Sequence, residues 1–213
     1  MSLRISVRGS ADRTYPAEYA AVPIQVAVEA GHRDEAYMKA AALQSELAAA
    51  LEDLAEAGGV RTWSSDQVRA HTWRDKLRTR HEARVGARAE FVMVEALEKF
   101  ADAWLPREGV TLGWLQWDLL PDNRRAREAE VRRDAVADAV AKATDYAEAL
   151  GFSSPTPVHV ADPGMRESAP MPRMAMASFG GDARGGQPEQ PTISLVPEDI
   201  RIEVVVEAEF EAG

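Results

Sequence analysis

The most regular hydrophobic pattern in the chain is the alternation of apolar and polar residues from position 200 to position 210. A strand directs every second side chain to one face, so this period predicts a strand with one apolar side. Its apolar positions are Ile202, Val204, Val206, Ala208 and Phe210. A strand this late in the chain has to pair with strands made much earlier. We therefore expect the two ends of the chain to belong to one domain.

The same period predicts further strands at 3–9, 19–30, 60–73, 79–95 and 110–119. Proline cannot donate a hydrogen bond to a neighbouring strand, so Pro23 indicates an edge position or a bulge in the second of them. Trp114 and Trp117 are separated by an odd number of positions and would point to opposite faces of the last one.

Apolar residues at three- and four-residue steps predict helices at about 33–57, 95–105 and 122–150. The long third helix would measure roughly 42 Å, and a strand of about 12 residues spans roughly 40 Å. These matched lengths favour an α+β fold in which two long helices cover one face of a long-stranded, largely antiparallel sheet. The predicted apolar stripe of the first helix consists of Ala36, Ala40, Leu43, Leu47, Ala50, Leu51 and Leu54. The predicted buried stripe of the third helix consists of Ala129, Val136, Val140, Ala143, Ala147 and Leu150.

The stretch from about 162 to 197 has no hydrophobic period and is rich in Pro, Gly and Met. Such composition is typical of a flexible segment. A chain of 213 residues fits one domain. The sequence therefore predicts a single domain over 1–213 with a flexible insertion at about 162–197, followed by the closing strand.

Composition excludes several classes of function. The net charge of −10 disfavours binding to nucleic acid or to anionic membranes, and the absence of cysteine excludes disulfides and thiolate metal sites. No apolar run approaches the roughly 20 residues that span a bilayer. No secretory signal opens the sequence, so a cytoplasmic protein is expected, or a periplasmic or secreted one if a leader has been removed.

Several segments, in this order and spacing, resemble the SIMPL-domain family. They are Ile5–Ala11, Tyr15-Pro16, Gly58-Gly59-Val60, Tyr146–Gly151, the Met-rich stretch Pro170–Ala177 and the approach to the last strand, Val196–Ile200. The resemblance implies an α+β scaffold, often oligomeric, without established enzymatic activity. It supplies no catalytic residue, metal or cofactor, and many bacterial members look secreted or periplasmic.

A basic region at 61–88 is the first candidate site, because arginines are interleaved there with Trp63, Trp73 and two histidines. It could bind an anion or single-stranded nucleic acid. Alternatively, it could pair with acidic residues of the closing strand, which carries Glu203, Glu207, Glu209 and Glu211. The candidate anion-binding residues are Arg74, Lys76, Arg78, Arg80, Arg84 and Arg88.

The Met-rich stretch is the second candidate, through Met171, Met174 and Met176. It could be a plain loop, a contact between subunits, or a soft-metal or redox site. An exposed Trp114 or Trp117 would be another candidate anchor for an interface. Arginines from Arg124 onward at the start of the long helix are expected to be ion-paired and solvated, with an acidic partner subunit as the alternative.

No nucleophile with a base and no metal-spaced histidine pair can be named. The leading hypothesis is therefore a non-catalytic scaffold that self-associates. The competing hypothesis is a module that binds anions or single-stranded nucleic acid through 61–88.

Overall fold

The computed structural model describes residues 2–75, 78–164 and 194–213. Their strands pair in antiparallel fashion wherever the register is defined. In chain order the elements are β1 (Leu3–Tyr15), β2 (Tyr19–Ala30), α1 (Arg33–Glu56), β3 (Val60–Ser65), β4 (Arg69–Asp75), β5 (Arg78–Phe91), α2 (Val94–Trp104), β6 (Val110–Leu112), β7 (Gln116–Asp118), α3 (Pro121–Ala149), β8 (Thr156–Ala161) and β9 (Ile200–Ala212).

The strands divide into two sheets, and the chain divides into two compact units that each contain one of them. The first unit contains β1, β8 and β9 with α3, and the second contains β2 to β7 with α1 and α2. The predicted α+β class with antiparallel strands is confirmed, and the described residues contain three helices, two long ones and the shorter α2. Each long helix packs on a sheet of its own. The expectation of a single domain over 1–213 remains a prediction.

In the first unit, β9 lies at the centre of the sheet, in the order β1-β9-β8. The prediction that the closing strand returns to an early strand is therefore confirmed. Its predicted apolar face is buried at Ile202, Val206, Ala208 and Phe210. The neighbours of β9 are β1 and β8, and not β5. The alternative that its glutamates pair with residues 80–90 was therefore wrong. Glu207 instead accepts a hydrogen bond from Arg8 of β1 at 2.8 Å.

Helix α3 packs on β1 through a stripe of small side chains at every fourth position. Small residues let the helix backbone approach closely, and Gly9 of β1 faces this stripe at Ala135 and Ala139. The buried positions are Val131, Ala135, Ala139, Ala143 and Ala147. The predicted stripe was thus wrong at Ala129, which is exposed, and at Val140 and Leu150, which are 43% and 61% exposed. The contact follows a strict four-residue step instead of a mixed one.

In the second unit, the strands lie in the order β3-β5-β2-β6, with β4 paired to β5 and β7 paired to β2. Helix α1 covers one face, and its buried positions match the predicted apolar stripe at Ala36, Ala40, Leu47 and Leu51. Leu47 and Leu51 share a cluster with inward residues such as Val26, and Ala36 and Ala40 form a smaller cluster with Ala83 of β5. The opposite face of this sheet is not covered by α1 and is called the open face below.

Pro23 lies in an interior strand, where the sequence indicated an edge or a bulge. On one side β2 pairs with β5, and on the other side β6 and β7 cover it in two separate pieces. The carbonyl of Pro23 accepts from the Gly113 nitrogen at 2.7 Å, in the gap between those pieces. A strand residue directs its N–H and C=O to the same side, so the missing N–H falls where the neighbouring ladder is interrupted.

Three further boundaries differ from the sequence-based expectation. Strand β1 continues past Gly9 to Tyr15, the expected strand at 110–119 is split into β6 and β7, and the region 60–73 contains two strands, β3 and β4. Strand β8 was not predicted, because its residues are almost all exposed and therefore lack alternation. Most of the predicted insertion, residues 165–193, lies outside the described residues.

Candidate functional site

The open face presents a row of outward side chains on β5, which is the strand that carries most of the predicted basic region. Alternate residues of β5 point to α1 and are apolar, such as Val85 and Ala89, so the charged positions between them face outward. The outward row consists of Arg80, Glu82, Arg84, Gly86, Arg88 and Glu90. Among the described residues, the open face is where three of the predicted anion-binding residues, Arg80, Arg84 and Arg88, lie together.

Ion pairs neutralise much of this row. Arg80 donates to Glu29 of β2 at 2.9 Å, and Arg84 donates to Glu82 at 2.7 Å. The hydrogen bond with Glu82 raises the pKa of Arg84 above its ordinary value, and Glu82 is only 9% exposed. The acidic partners of these arginines therefore come from β2 and β5 themselves, and not from β9.

Two of the remaining candidates have no carboxylate partner among the described residues. Arg74 is exposed on β4, and Arg88 donates to the side-chain oxygen of Gln116 at 3.2 Å. Lys76 and the side chain of Arg78 lie outside the described part of the chain. The basic region is therefore a mixed surface on which some arginines pair with carboxylates and the candidates Arg74 and Arg88, among the described residues, do not.

At one end of the open face, His71 and Trp73 of β4 stack with ring centroids 6.1 Å apart. They stand opposite Glu82 and Arg80 in the β4–β5 register. Together with Arg84 they line a shallow cavity of about 350 Å³. In the sequence these aromatic residues are interleaved with the arginines of the basic region. In the structure they lie on the same face of the sheet as Arg80 and Arg84.

A second cavity, of about 380 Å³, crosses the middle of the open face and is called the trough below. Gly86 of β5 provides its floor, and Asp66, just after β3, lies over that glycine. The Asp66 nitrogen donates to the Gly86 carbonyl at 2.8 Å, which fixes the loop there. Arg88 closes one side, and the remaining walls include Pro23, Gln25, Ser64 and Thr111.

The pKa of Tyr19, at the start of β2, is affected by charged side chains on the open face. Burial is the largest reason why the pKa of Tyr19 is raised, followed by the nearby carboxylates of Asp118 and Glu90. Arg61 and Arg88 act in the opposite direction, and the Arg61 guanidinium lies 5.6 Å from the centre of the Tyr19 ring. Arg61 also forms an ion pair with Glu90.

The two candidate tryptophans have different surroundings. Trp117 of β7 stands opposite Ala20 and packs against the core under α1. Trp114 lies in the connection between β6 and β7 and is 92% exposed, more than any other large apolar side chain among the described residues. Met171, Met174 and Met176 lie outside the described residues, so their proposed roles remain predictions.

The arginines at the start of α3 are ion-paired along the helix. Arg125 pairs with Asp122 at 3.3 Å, and Arg127 pairs with Glu130 at 3.2 Å. Arg127 also lies over the ring of Tyr15, 4.9 Å from its centre. These contacts match the expected ion-paired helix surface.

Sequence reasoning missed the trough, and with it Asp66, Gly86 and Gln25. One signal was available, because Gly86 is the only glycine in the long alternating strand β5. An isolated glycine in a strand often marks a place where another group comes close. The position of Asp66 depends on how the β3–β4 connection folds, and no local pattern encodes it.

Across the described residues, no three His, Asp or Glu side chains come together in a way that could hold a metal ion. The helices that are described are too short or too polar to cross a bilayer. The arrangement on the open face can pair charges, stack planar groups and accept a small polar ligand.

Fold and face together define an α+β protein with a helix-covered sheet whose other face carries paired charges, exposed aromatics and a glycine-floored trough. The chain belongs to the SIMPL family, described as a protein of unknown function (DUF541), whose model matches residues 5–210. No curated protein matches the chain.

Proposed function

We propose that this SIMPL protein is a non-catalytic interaction protein that self-associates, and that Trp114 anchors the contact. The observation that carries the proposal is the 92% exposure of Trp114. A bare indole exposes a large apolar area to water, and tryptophan is among the residues that contribute most to protein–protein binding.

The surroundings of Trp114 support a contact at this place. Leu112, Gly113 and Leu115 border a shallow depression of about 560 Å³ beside the indole. Strands β6 and β7 are only three residues each, and Trp114 lies in the connection between them, outside the residues that pair with β2. An apolar anchor beside a depression provides both parts that a buried contact requires.

The ion pairs on the open face favour self-association over nucleic-acid binding. Binding to a polyanion gains from several cations free to contact phosphates, and Arg80 and Arg84 each already contact a carboxylate. The stacked His71 and Trp73 could still receive a base, and a single-stranded oligonucleotide at low salt tests that alternative.

Sedimentation equilibrium over a range of micromolar concentrations tests self-association. We expect the wild-type protein to associate and Trp114→Ala to weaken association at least about 10-fold, as loss of a central aromatic anchor does. Met38→Ala is the matched control, because Met38 is 67% exposed on α1, on the other side of the sheet. A wild-type monomer at every concentration, or equal association of Trp114→Ala, would contradict the proposal.

A further inference from the structure

The trough contains one carboxylate and one guanidinium that do not pair with each other. Among the described residues no ion pair forms at Asp66, and the side-chain partner of Arg88 is the neutral Gln116. The other described arginines of β5 both have an acidic partner within 3 Å, at 2.9 Å for Arg80 and 2.7 Å for Arg84. A carboxylate and a guanidinium that line one small cavity without pairing with each other can each bind one end of a ligand.

The positions of the two groups define what a ligand must carry. The Asp66 carboxylate lies over Gly86, and Arg88 is two residues further along β5, where its guanidinium donates to Gln116 of β7. A ligand that contacts both Asp66 and Arg88 needs a positive group at one end and a negative group at the other.

Gly86 keeps the trough open. A Cβ atom at this position would lie 3.0 Å from the Asp66 Oδ2 atom, so any other residue would displace the carboxylate and fill the floor. The backbone of Gly86 does not have a positive φ that would require glycine. Glycine weakens a strand interior, so its presence here is explained by the space that it leaves above the strand.

We propose that the trough binds a small zwitterion of the α-amino-acid type, with its ammonium group on Asp66 and its carboxylate on Arg88. The planar guanidinium can donate two parallel hydrogen bonds to a carboxylate, and the Asp66 carboxylate accepts from the ammonium. The hydroxyls of Ser64 and Thr111 and the amide of Gln25 line the same cavity and can complete the hydrogen bonding of both charged ends.

The rest of the cavity accommodates the ligand side chain. Its volume of about 380 Å³ lies at the small end of the roughly 300–1,000 Å³ that is usual for ligand pockets. The Pro23 ring forms an apolar part of the lining. A ligand of one residue with an uncharged side chain fits these walls, and a simple anion leaves Asp66 without a partner.

Binding in the trough does not require self-association, so it is tested on the whole chain whatever its assembly state. Isothermal titration calorimetry is performed with L-alanine, L-leucine and L-phenylalanine, and with the N-acetyl and amide derivative of each. We expect at least one free amino acid to bind with one site per chain. Its two derivatives each lack one charge and should bind at least about 10-fold more weakly, because each loses a charge-assisted hydrogen bond.

Three variants connect that binding to the trough. Asp66→Asn and Arg88→Gln should each weaken it at least about 10-fold, and Gly86→Val should abolish it by filling the floor. Arg80→Gln is the matched control on the same strand and face, away from the trough, and should bind as the wild type does. Circular dichroism and thermal unfolding confirm that each variant is folded before it is titrated.

Failure of all three free amino acids to bind would overturn the proposal. So would equal binding of the N-acetyl or amide derivatives, or binding that persists in folded Gly86→Val.

Discussion

Gly9 of β1 and Ala139 of α3 are in such close contact that a Cβ atom at Gly9 would lie 2.7 Å from the Ala139 Cβ atom. The backbone carbonyl of Ala135 is also in direct contact with that position. The helix can approach the strand this closely because its contact stripe consists largely of alanine and the strand offers no side chain at position 9.

Gly9→Ala should therefore destabilise the first unit by about 1–3 kcal/mol, since the added methyl group overpacks a contact with helix backbone that cannot move aside. The free energy of unfolding from urea titration measures the effect. Gly31→Ala is the matched control, because nothing lies within 4 Å of a Cβ atom there, and it should change stability by no more than about 0.5 kcal/mol. Equal values for the two variants would show that the helix does not rest on Gly9.

A double-mutant cycle should detect the cross-strand contact between Arg8 of β1 and Glu207 of β9, which are 2.8 Å apart. We expect a coupling of about 0.2–1 kcal/mol from urea unfolding of Arg8→Ala, Glu207→Ala and the double variant. The control cycle pairs Arg8 with Glu211, four residues further along β9 and roughly 13 Å away. A coupling that is larger for Glu211 than for Glu207 would mean that the register of β9 on β1 is different.

Stability in acid should depend on Asp138 of α3. Its carboxylate accepts from Lys142 at 2.6 Å and from the Ser10 backbone nitrogen at 2.8 Å, and chiefly the Lys142 bond lowers the pKa of Asp138 below its ordinary value of 3.8. The unfolded chain then binds a proton more readily than the folded chain. The stabilisation is therefore complete above the ordinary pKa and is lost as the pH falls below it.

Urea titrations at neutral pH and in acid measure this dependence. Asp138→Asn should be less stable than the wild type at neutral pH, and the difference should shrink in acid. Asp145→Asn is the control on the same helix, because Asp145 is exposed and no hydrogen bond forms there with described residues. A difference between wild type and Asp138→Asn that stays constant with pH would refute the assignment.

Truncating two tryptophans of the second unit to alanine should change the stability of the protein by very different amounts. Trp104 of α2 is 3% exposed and stacks on Phe100 with ring centroids 5.7 Å apart, so Trp104→Ala should cost about 3–5 kcal/mol of stability. Trp114→Ala removes an exposed side chain and should change the stability of the monomer by no more than about 0.5 kcal/mol. Unfolding followed by circular dichroism at low protein concentration compares them, and a large loss for Trp114→Ala would give that residue a place in the core.

The sequence predicted those elements whose side chains have one clear apolar face. The alternation that ends at Phe210 and the stripe from Ala36 to Leu51 both correspond to buried positions. Strand β8 escaped prediction because Val158 and Val160 are 58% and 50% exposed, and a strand without a buried face leaves no period in the sequence. Strand partners also escaped prediction, since the pattern at Glu207 specifies a face and not the neighbour that pairs with it.

The candidate site was predictable only in part, for a similar reason. The basic character of β5 is visible in the sequence, and the acids that neutralise Arg80 and Arg84 become known only with the β2–β5 register and the side-chain contacts. The trough depends on contacts between β3, β5 and β6, which lie far apart in the chain. The resemblance to the SIMPL family supplies no site residues, so it could not indicate either cavity on the open face.

Because β9 lies at the centre of its sheet and is the last strand to be synthesised, the sheet of the first unit cannot form until translation is nearly complete. Arg8 and Glu207 are separated by 199 residues, so a ribosome that adds about 5–20 residues per second makes them about 10–40 s apart. During that interval β1 has to wait without its hydrogen-bonding neighbour, while β2 to β7 can already assemble from contiguous sequence. An unpaired nascent strand of this length is a target for chaperones, and slowing or stalling translation before residue 200 should increase the yield of aggregated chains.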